Sequence, residues 1–454
     1  MYPLTQLNWG FLEILYLIII FLVGFFVTYI TLPYLIKYMK KKEYIGFDIH
    51  KNARPGVAES GGLVIIIGFI VASMFLMIFF PIFLNEIIIF LLTVIIAGII
   101  GLIDDRKKLR SRYKILLSIF AGSALFFANI FGFITIPSPA IPFLDETRLT
   151  VIYPLIIPII IAVFTNTVNM LEGYNGEGAG TCLIAVSSLF VCGIIWNSAE
   201  AVIFTIPVIA VLIPFFIYNK FPAKIFPGDI GTLSMGAMIA CIMFFGSLEV
   251  ATFVALLTHI FNSFYVIYSA RGFFESSDLH EEKSDIILLK DDRIKASSQK
   301  DAALTLPRLI LARGPLKEPE LVKNFFAISA ISGFFSIFSV IFLQVSIGNF
   351  EPVILIISIS ILIAPTGLIF YKFPRIRGII VLMIILLLTV TVFLLIIQMF
   401  IMPLPFEDIT FGMITIPINL LISFLLLVPG LLIWYFFTIK YFWAVIKKMN
   451  PKNN

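Results

Sequence analysis

Long apolar runs broken by short polar stretches organise the whole chain. They lie near Leu12–Ile36, Gly61–Pro81, Ile87–Ile103, Ile115–Ile134, Val151–Phe164, Thr181–Trp196 and Ala201–Tyr218. Others follow near Ile230–Gly246, Val250–Ser269, Phe325–Ile347, Val353–Tyr371, Gly378–Met402 and Gly412–Thr438. A span needs ~20 mostly apolar residues, so the pattern predicts about 13 transmembrane helices. The expected fold class is an all-α polytopic membrane protein. Only Arg271–Lys323 has the polarity of a soluble segment. Within it, Ile286–Lys290 and Arg293–Ala296 flank Asp291-Asp292 and predict a short hairpin with the Asp pair at its turn.

Composition supports the pattern: 60% of the 454 residues are hydrophobic and 13% are charged, which excludes a soluble multidomain chain. The first run exceeds a signal-peptide core and no small-residue cleavage site follows, so it is expected to stay as a span. Cys182, Cys192 and Cys241 fall inside apolar runs without metal-ligand spacing and are expected to be small buried hydrophobes.

Charge then orients the bundle. Alternate loops at residues 37–60, 104–114, 165–180, 219–229, 270–324, 372–377 and 439–454 hold 31 of the 32 Lys and Arg residues. The other loops hold Arg148 beside acids such as Glu86, Asp145, Glu200, Glu351 and Asp408. Basic loops stay in the cytoplasm. The N-terminus is therefore expected outside the cell membrane, and every polar motif described next on its cytoplasmic face.

Asn166–Gly180 reads Asn-Thr-Val-Asn-Met-Leu-Glu-Gly-Tyr-Asn-Gly-Glu-Gly-Ala-Gly, a polar, glycine-rich turn between two spans. Glycine lets backbone approach a ligand closely, and Asn offers both donors and an acceptor. Such a turn suits a metal-bound phosphate ester. It equally suits a solvated loop with Gly176 and Gly180 as a small-residue packing pair. The first loop, with Asp48, His50, Lys51 and Glu59 beside Gly61-Gly62, is either a ligand rim or an ordinary basic loop.

Asp104-Asp105 ends a membrane helix and precedes a basic stretch ending at Lys114. The helix dipole, desolvation and mutual repulsion all oppose negative charge there. The pair is kept for a cation, a proton transfer or a positive partner, or is simply screened by the basic stretch. Phe226-Pro227-Gly228-Asp229-Ile230-Gly231 opens a helix. Its carboxylate and free amides fit Mg²⁺ with a phosphate, or a plain N-cap in a Pro-Gly turn. His259 and Asn262 share a helix face, where interhelical hydrogen bonding is the expected role.

Together these stretches resemble the polyprenyl-phosphate N-acetylhexosamine-1-phosphate transferases, integral membrane enzymes that start lipid-linked glycan synthesis. The family pattern has Asp-Asp after the third span, Asn-x-x-Asn-x-x-x-Gly-x-(Asn/Asp)-Gly after the fifth and Gly-Asp-x-Gly after the seventh. Here these are Asp104-Asp105, Asn166–Gly176 and Gly228–Gly231. Asp48, Lys51 and Glu59, with Leu109-Arg-x-Arg-x-Lys114, are similar to the archaeal and eukaryotic branch, which mostly uses UDP-GlcNAc and dolichyl phosphate. The resemblance covers residues 1–347, a core of about ten spans including the cytoplasmic loop 271–323. Residues 348–454 would be additional C-terminal spans.

The resemblance implies that Asn169 and Asp229 bind Mg²⁺ (or Mn²⁺) and that Asn166, Asn175 and Gly176 line the nucleotide site. Asp48, Ile49 and Glu59 would close over the UDP-sugar, Lys114 would hold the lipid phosphate, and Asp104 and Asp105 would orient or deprotonate it. Glu172 stands where bacterial relatives have Asp. The His/Arg cluster of the family's long loop is missing, with His280, Arg271, Arg293 or Arg308 as substitutes; His280 and Arg308 are the expected substrate contacts. The implied partners are a UDP-N-acetylhexosamine, polyprenyl or dolichyl phosphate and the bilayer, with a homodimer left open and no nucleic acid. The implied reaction is attack of the lipid phosphate on the β-phosphorus, with UMP leaving.

Two other classes use similar carboxylates. A secondary transporter would place them near the bilayer midplane within inverted repeats, and no repeat is visible. A membrane prenyltransferase would need a second Asp-rich loop, and Phe226–Gly231 has a single Asp. The charge pattern predicts that Arg110→Cys and Lys224→Cys, in a background without native cysteines, resist an impermeant maleimide added to sealed cells. Labelling from outside would overturn the topology.

Overall fold

A computed structural model describes residues 3–6, 10–137, 139, 152–270, 284–347, 352–401, 409–411, 414–416 and 418–449. The chain is a polytopic helical membrane protein. Its first eight apolar runs form α1 (Phe11–Lys41), α2 (Gly62–Phe79), α3 (Leu84–Lys107), α4 (Ser111–Ile130), α5 (Ile152–Leu171), α6 (Glu177–Ile195), α7 (Ala199–Asn219) and α8 (Gly228–Gly246). The ninth run is broken: α9 (Glu249–Ala255) and α10 (Leu257–Ala270) meet at 68°. Neither Pro nor Gly marks that bend. Helices Glu318–Ile347, Pro352–Lys372, Arg377–Ile396 and Ile418–Met449 complete the order. Among the described residues 11 helices are long and apolar enough to cross a membrane, or 12 with the bent pair as one span.

One boundary differs in a way that matters. The Val151–Phe164 run continues as helix to Leu171, so Asn166 and Asn169 sit on the last turns of α5. The polar turn is confined to residues 172–176.

Helix α8 is the centre of the bundle, with every residue from Ile230 to Gly246 buried. Close approach depends on glycine. A Cβ on Gly101 of α3 would meet the Asp229 carbonyl at 2.4 Å, and one on Gly62 of α2 would meet the Gly231 nitrogen at 2.2 Å. Lipid tails are as apolar as leucine, so such contacts, rather than escape from water, draw the helices together.

The loop between α1 and α2 forms a hairpin of β1 (Ile45–Phe47) and β2 (Gly56–Ala58), with Gly46 opposite Val57. It is stapled to the turn before α8. Phe226 N donates to Ala58 O at 2.8 Å, and Gly61 N and Gly62 N donate to Phe226 O and Pro227 O at 2.9 Å. The expected second hairpin is present as β3 (Ile286–Leu288) and β4 (Arg293–Ala296), joined by β5 (Leu316–Lys317). Asn262 bridges elements as expected: Nδ2 donates to Met170 O at 3.0 Å and Oδ1 accepts from Leu306 N at 3.0 Å. His259 Nε2 lies 3.1 Å from Thr181 Oγ1 on α6. All three cysteines are buried and unpaired.

The α3–α8 contact predicts that Gly101→Ala destabilises the protein by ~1–3 kcal/mol, the usual cost of overpacking. Among the described residues, nothing lies within 4 Å of a Cβ on Gly367. Gly367→Ala should be neutral or slightly stabilising, since Ala is the better helix former. Thermal denaturation in detergent checks both.

Candidate active site

Four helices meet at one positive charge. Lys114 Nζ, on α4, lies 2.7 Å from Asp104 Oδ2 at the end of α3. It also donates to Asn169 Oδ1 of α5 and Asp229 Oδ2 of α8, each at 3.1 Å. Asn169 Nδ2 in turn donates to Asp229 Oδ1 at 2.6 Å and to Thr232 Oγ1 at 2.7 Å. Asp104, Lys114 and Asn169 are buried. Buried carboxylates are tolerated only with such partners.

The adjacent Asp residues do different work. Asp104 Oδ1 accepts from Leu109 N at 2.6 Å and so holds the start of the basic stretch. Asp105 turns the other way, accepting from Asp229 N at 2.7 Å and from Ser60 Oγ at 3.3 Å. The Asp229 amide in the first turn of α8, available to a phosphate by sequence alone, is therefore capped by Asp105. Gly228 has φ +64°, and a Cβ there would meet Asp105 Oδ2 at 2.6 Å. This one position needs glycine twice over.

The 172–176 turn is pinned by two glutamates. Glu177 Oε2 accepts from Gly173 N and Tyr174 N, both at 3.2 Å, and Glu172 Oε2 accepts from Gly178 N at 2.8 Å. Burial pushes the Glu172 carboxyl up to about 8, opposed by the Gly178 amide and reinforced by Glu318. Burial also raises Glu59, opposed by Lys108. Beyond the turn, the His50 ring stacks on Tyr174 at 4.3 Å.

These groups surround a cleft of about 400 Å³. Asp48, Ile49, Glu59, Asp104, Asp105, Asn169, Asn175 and Asp229 line it, as do His50, Glu172, Tyr174 and Phe226. Lys114 does not line it; its ammonium sits among the acids rather than reaching towards a lipid phosphate. Asn166 lies deeper, donating to Ala162 O at 2.7 Å and Ser118 Oγ at 3.2 Å. Gly176 is the left-handed N-cap of α6, facing Lys220.

Asp104 Oδ2, Asn169 Oδ1 and Asp229 Oδ2 converge on one point that a cation already satisfies. All three are hard oxygen donors, the set that suits Mg²⁺ or Mn²⁺. The residues present therefore fit a divalent ion.

The model of glycosyl transferase family 4 matches residues 87–247. A phospho-N-acetylmuramoyl-pentapeptide-transferase of Streptococcus pneumoniae is 26% identical over 235 residues, 48% of this chain and 70% of the relative. A provisionally named UDP-N-acetylglucosamine–dolichyl-phosphate N-acetylglucosaminephosphotransferase of Saccharolobus solfataricus is 32% identical over 252 residues, 55% of this chain and 77% of the relative. A provisionally named glycosyltransferase of Methanocaldococcus jannaschii is 30% identical over 312 residues, 69% of this chain and 93% of the relative. The chain belongs to the polyprenyl-phosphate N-acetylhexosamine-1-phosphate transferases, glycosyl transferase family 4. It is a sugar-phosphate transferase.

The matched segment of the transferase includes Asp104, Asp105, Lys114, Asn169 and Asp229, whereas Asp48, His50, Lys51 and Arg308 fall outside it. The structure corrects the expected substrate contact at Arg308. That side chain is 0% exposed and does not line the cleft. Its guanidinium donates to the carbonyls of Ser297 at 3.1 Å, Gln299 at 2.7 Å, Ala302 at 2.6 Å and Ala303 at 3.1 Å. A planar fork of donors suits this task of holding a tight loop together. Arg293 pairs with Asp291 at the exposed hairpin tip, 2.6 Å away. His280 and Arg271 lie outside the described residues.

Sequence reasoning missed Glu318, a buried carboxylate that contacts both Asn175 and Lys51. Its one sequence signal is an acid opening an apolar run, Lys317-Glu318-Pro319-Glu320, which every acidic helix start also shows.

Proposed function

We propose that the transferase moves an N-acetylhexosamine 1-phosphate, GlcNAc 1-phosphate first among them, from a UDP-sugar to polyprenyl or dolichyl phosphate, releasing UMP. The site would face the cytoplasm in the cell membrane, in the 1–347 core, with residues 348–454 as an appendage. The observation that carries this reading is the convergence of Asp104, Asn169 and Asp229 on one cation point beside a cleft of about 400 Å³. A cleft of that size is within the range of small-molecule sites, and its floor is at the end of apolar helices, where a lipid phosphate can arrive from the bilayer.

Both substrates are anionic, so the site must hold two phosphates together. A divalent ion, when bound, would offset charge on the diphosphate. Asp229 and Asn169 would hold that ion. Lys114, released from the acids to the extent that an ion replaces it, would face the incoming lipid phosphate. Asp105 fixes the start of α8, so Asp229 keeps its position while charge moves. Asp104 holds Lys114 and Leu109 and orients the acceptor side. Polyprenyl phosphate has a second pKa near ~6 and is largely dianionic at neutral pH, so no strong base is required. Asp48, Glu59 and the ring pair His50–Tyr174 border the donor side.

Membranes given radiolabelled UDP-GlcNAc and polyprenyl phosphate should form a labelled lipid and release UMP. Asp229→Ala should lower turnover by at least ~100-fold, about 2.7 kcal/mol of barrier. Release of UDP would mean transfer of the sugar alone and would overturn the proposal, as would full activity in excess EDTA.

A further inference from the structure

Glu318 opens the Glu318–Ile347 helix, is 2% exposed and lies behind the cleft wall. Two other chain segments meet on it. Oε1 accepts from Asn175 N at 2.7 Å and also from the Asn175 side-chain amide. Oε2 lies 3.3 Å from the Lys51 ammonium. Lys51 pairs in turn with Asp48, and Asp48 Oδ2 accepts from Asn175 Nδ2 at 3.0 Å. The remaining side-chain acceptor, Asn175 Oδ1, takes Ala223 N at 2.7 Å. The result is a closed ring of Lys51, Glu318, Asn175 and Asp48. Every polar atom of the Asn175 side chain is engaged in the wall.

The ring does more than join loops. Asp48 and Asn175 both line the cleft, and the turn that carries Asn175 also carries Tyr174, on which His50 stacks. The tip of the first loop is held separately, where Asn52 N donates to Asp292 Oδ1 at 2.8 Å. Asp48, His50 and Glu318 lie close enough together to suggest a cation site. The Lys51 ammonium already supplies the positive charge between those two carboxylates, so the cluster is built as an ion-pair clasp.

We propose that Glu318 is a positioning residue for the donor side of the cleft. It holds Asn175 directly and Asp48 through Lys51, so nucleotide-sugar binding depends on it and lipid-phosphate binding does not. This rests on the transferase function proposed above. The lipid-phosphate side is organised by Lys114 and Asp104, which hold Asn169, Asp229 and Leu109.

The test is a pair of steady-state titrations, one per substrate, with UMP binding measured by calorimetry on the same purified full-length protein. Glu318→Gln keeps an acceptor for Asn175 and removes the charge facing Lys51. It should raise the KM for the UDP-sugar by ~10-fold or more and weaken UMP binding in parallel, with kcat and the lipid KM within ~3-fold of wild type. Lys51→Gln should act in the same direction. The double variant should be no worse than the poorer single one, because both act through one contact. Lys51 is 15% exposed on a loop, so its variant carries the test if Glu318→Gln does not fold. Equal rises in both KM values, a defect in kcat alone, or effects that multiply in the double variant would overturn the inference. Wild type that binds UMP, with Glu318→Gln binding it equally well, would overturn the inference alone. Wild type that binds no UMP and turns over no UDP-sugar would overturn the function proposed above, and the inference with it.

Discussion

Negative charge at the end of a membrane helix is stable only against a positive partner, and this bundle is arranged around one such pairing. The Lys114 ammonium sits among oxygens of Asp104, Asn169 and Asp229, one each from α3, α5 and α8. Without it, Asp104 and the half-buried Asp229 would face one another with little to offset their repulsion. The pairing therefore ties together four helices that apolar contact alone would leave free to slide, because lipid offers no hydrophobic drive between them. It also leaves a ready-made point of positive charge beside a cleft, which is the electrostatic need of a phosphoryl-transfer site.

Packing delivers the groups to that point. Gly101 and Gly62 let α3 and α2 touch the first turn of α8 at backbone distance. Asp105 then caps that turn, which fixes Asp229 from its own amide. Glu172 and Glu177 pin the turn after α5 from both sides, carrying rigidity from Asn169 to Asn175. The cleft thus lies between two polar knots: one built on Lys114 deep in the bundle, the other on Glu318 at the rim. The two knots draw their charges from separate residues, Lys114 with Asp104 and Asp229 in one and Lys51 with Asp48 and Glu318 in the other.

Much of this was legible because the chemistry is concentrated where it is costly. Asp104-Asp105 stood out as charge at a membrane helix end, and Asp229 as a carboxylate in a Pro-Gly helix entry; the structure gathers Asp104 and Asp229 onto one cation point and turns Asp105 to the Asp229 amide. The apolar runs located most of the helices, although the run opening at Gly412 begins with the strand Ile414–Ile416 and 11 or 12 described helices, rather than about 13, are long and apolar enough to span. What was hidden depended on distance across the fold. Glu318 acquires its role only when Lys51 and Asn175 arrive beside it. Arg308 looked like a free cation in a polar loop, yet four carbonyls of its own loop claim it. The extension of α5 through Asn169 was missed because polar amides mimic a turn, although on a helix end they simply point into a cavity. The bend between α9 and α10 has no Pro or Gly to announce it.

We propose that the oxygens around Lys114 form a divalent-cation site. Titration of the purified protein with Mn²⁺, followed by electron paramagnetic resonance of the free ion, tests it without turnover. One saturable site is expected in the presence of UMP, weakened at least ~10-fold, or about 1.4 kcal/mol, by Asp229→Asn. Unchanged Mn²⁺ affinity and stoichiometry in that variant would contradict it.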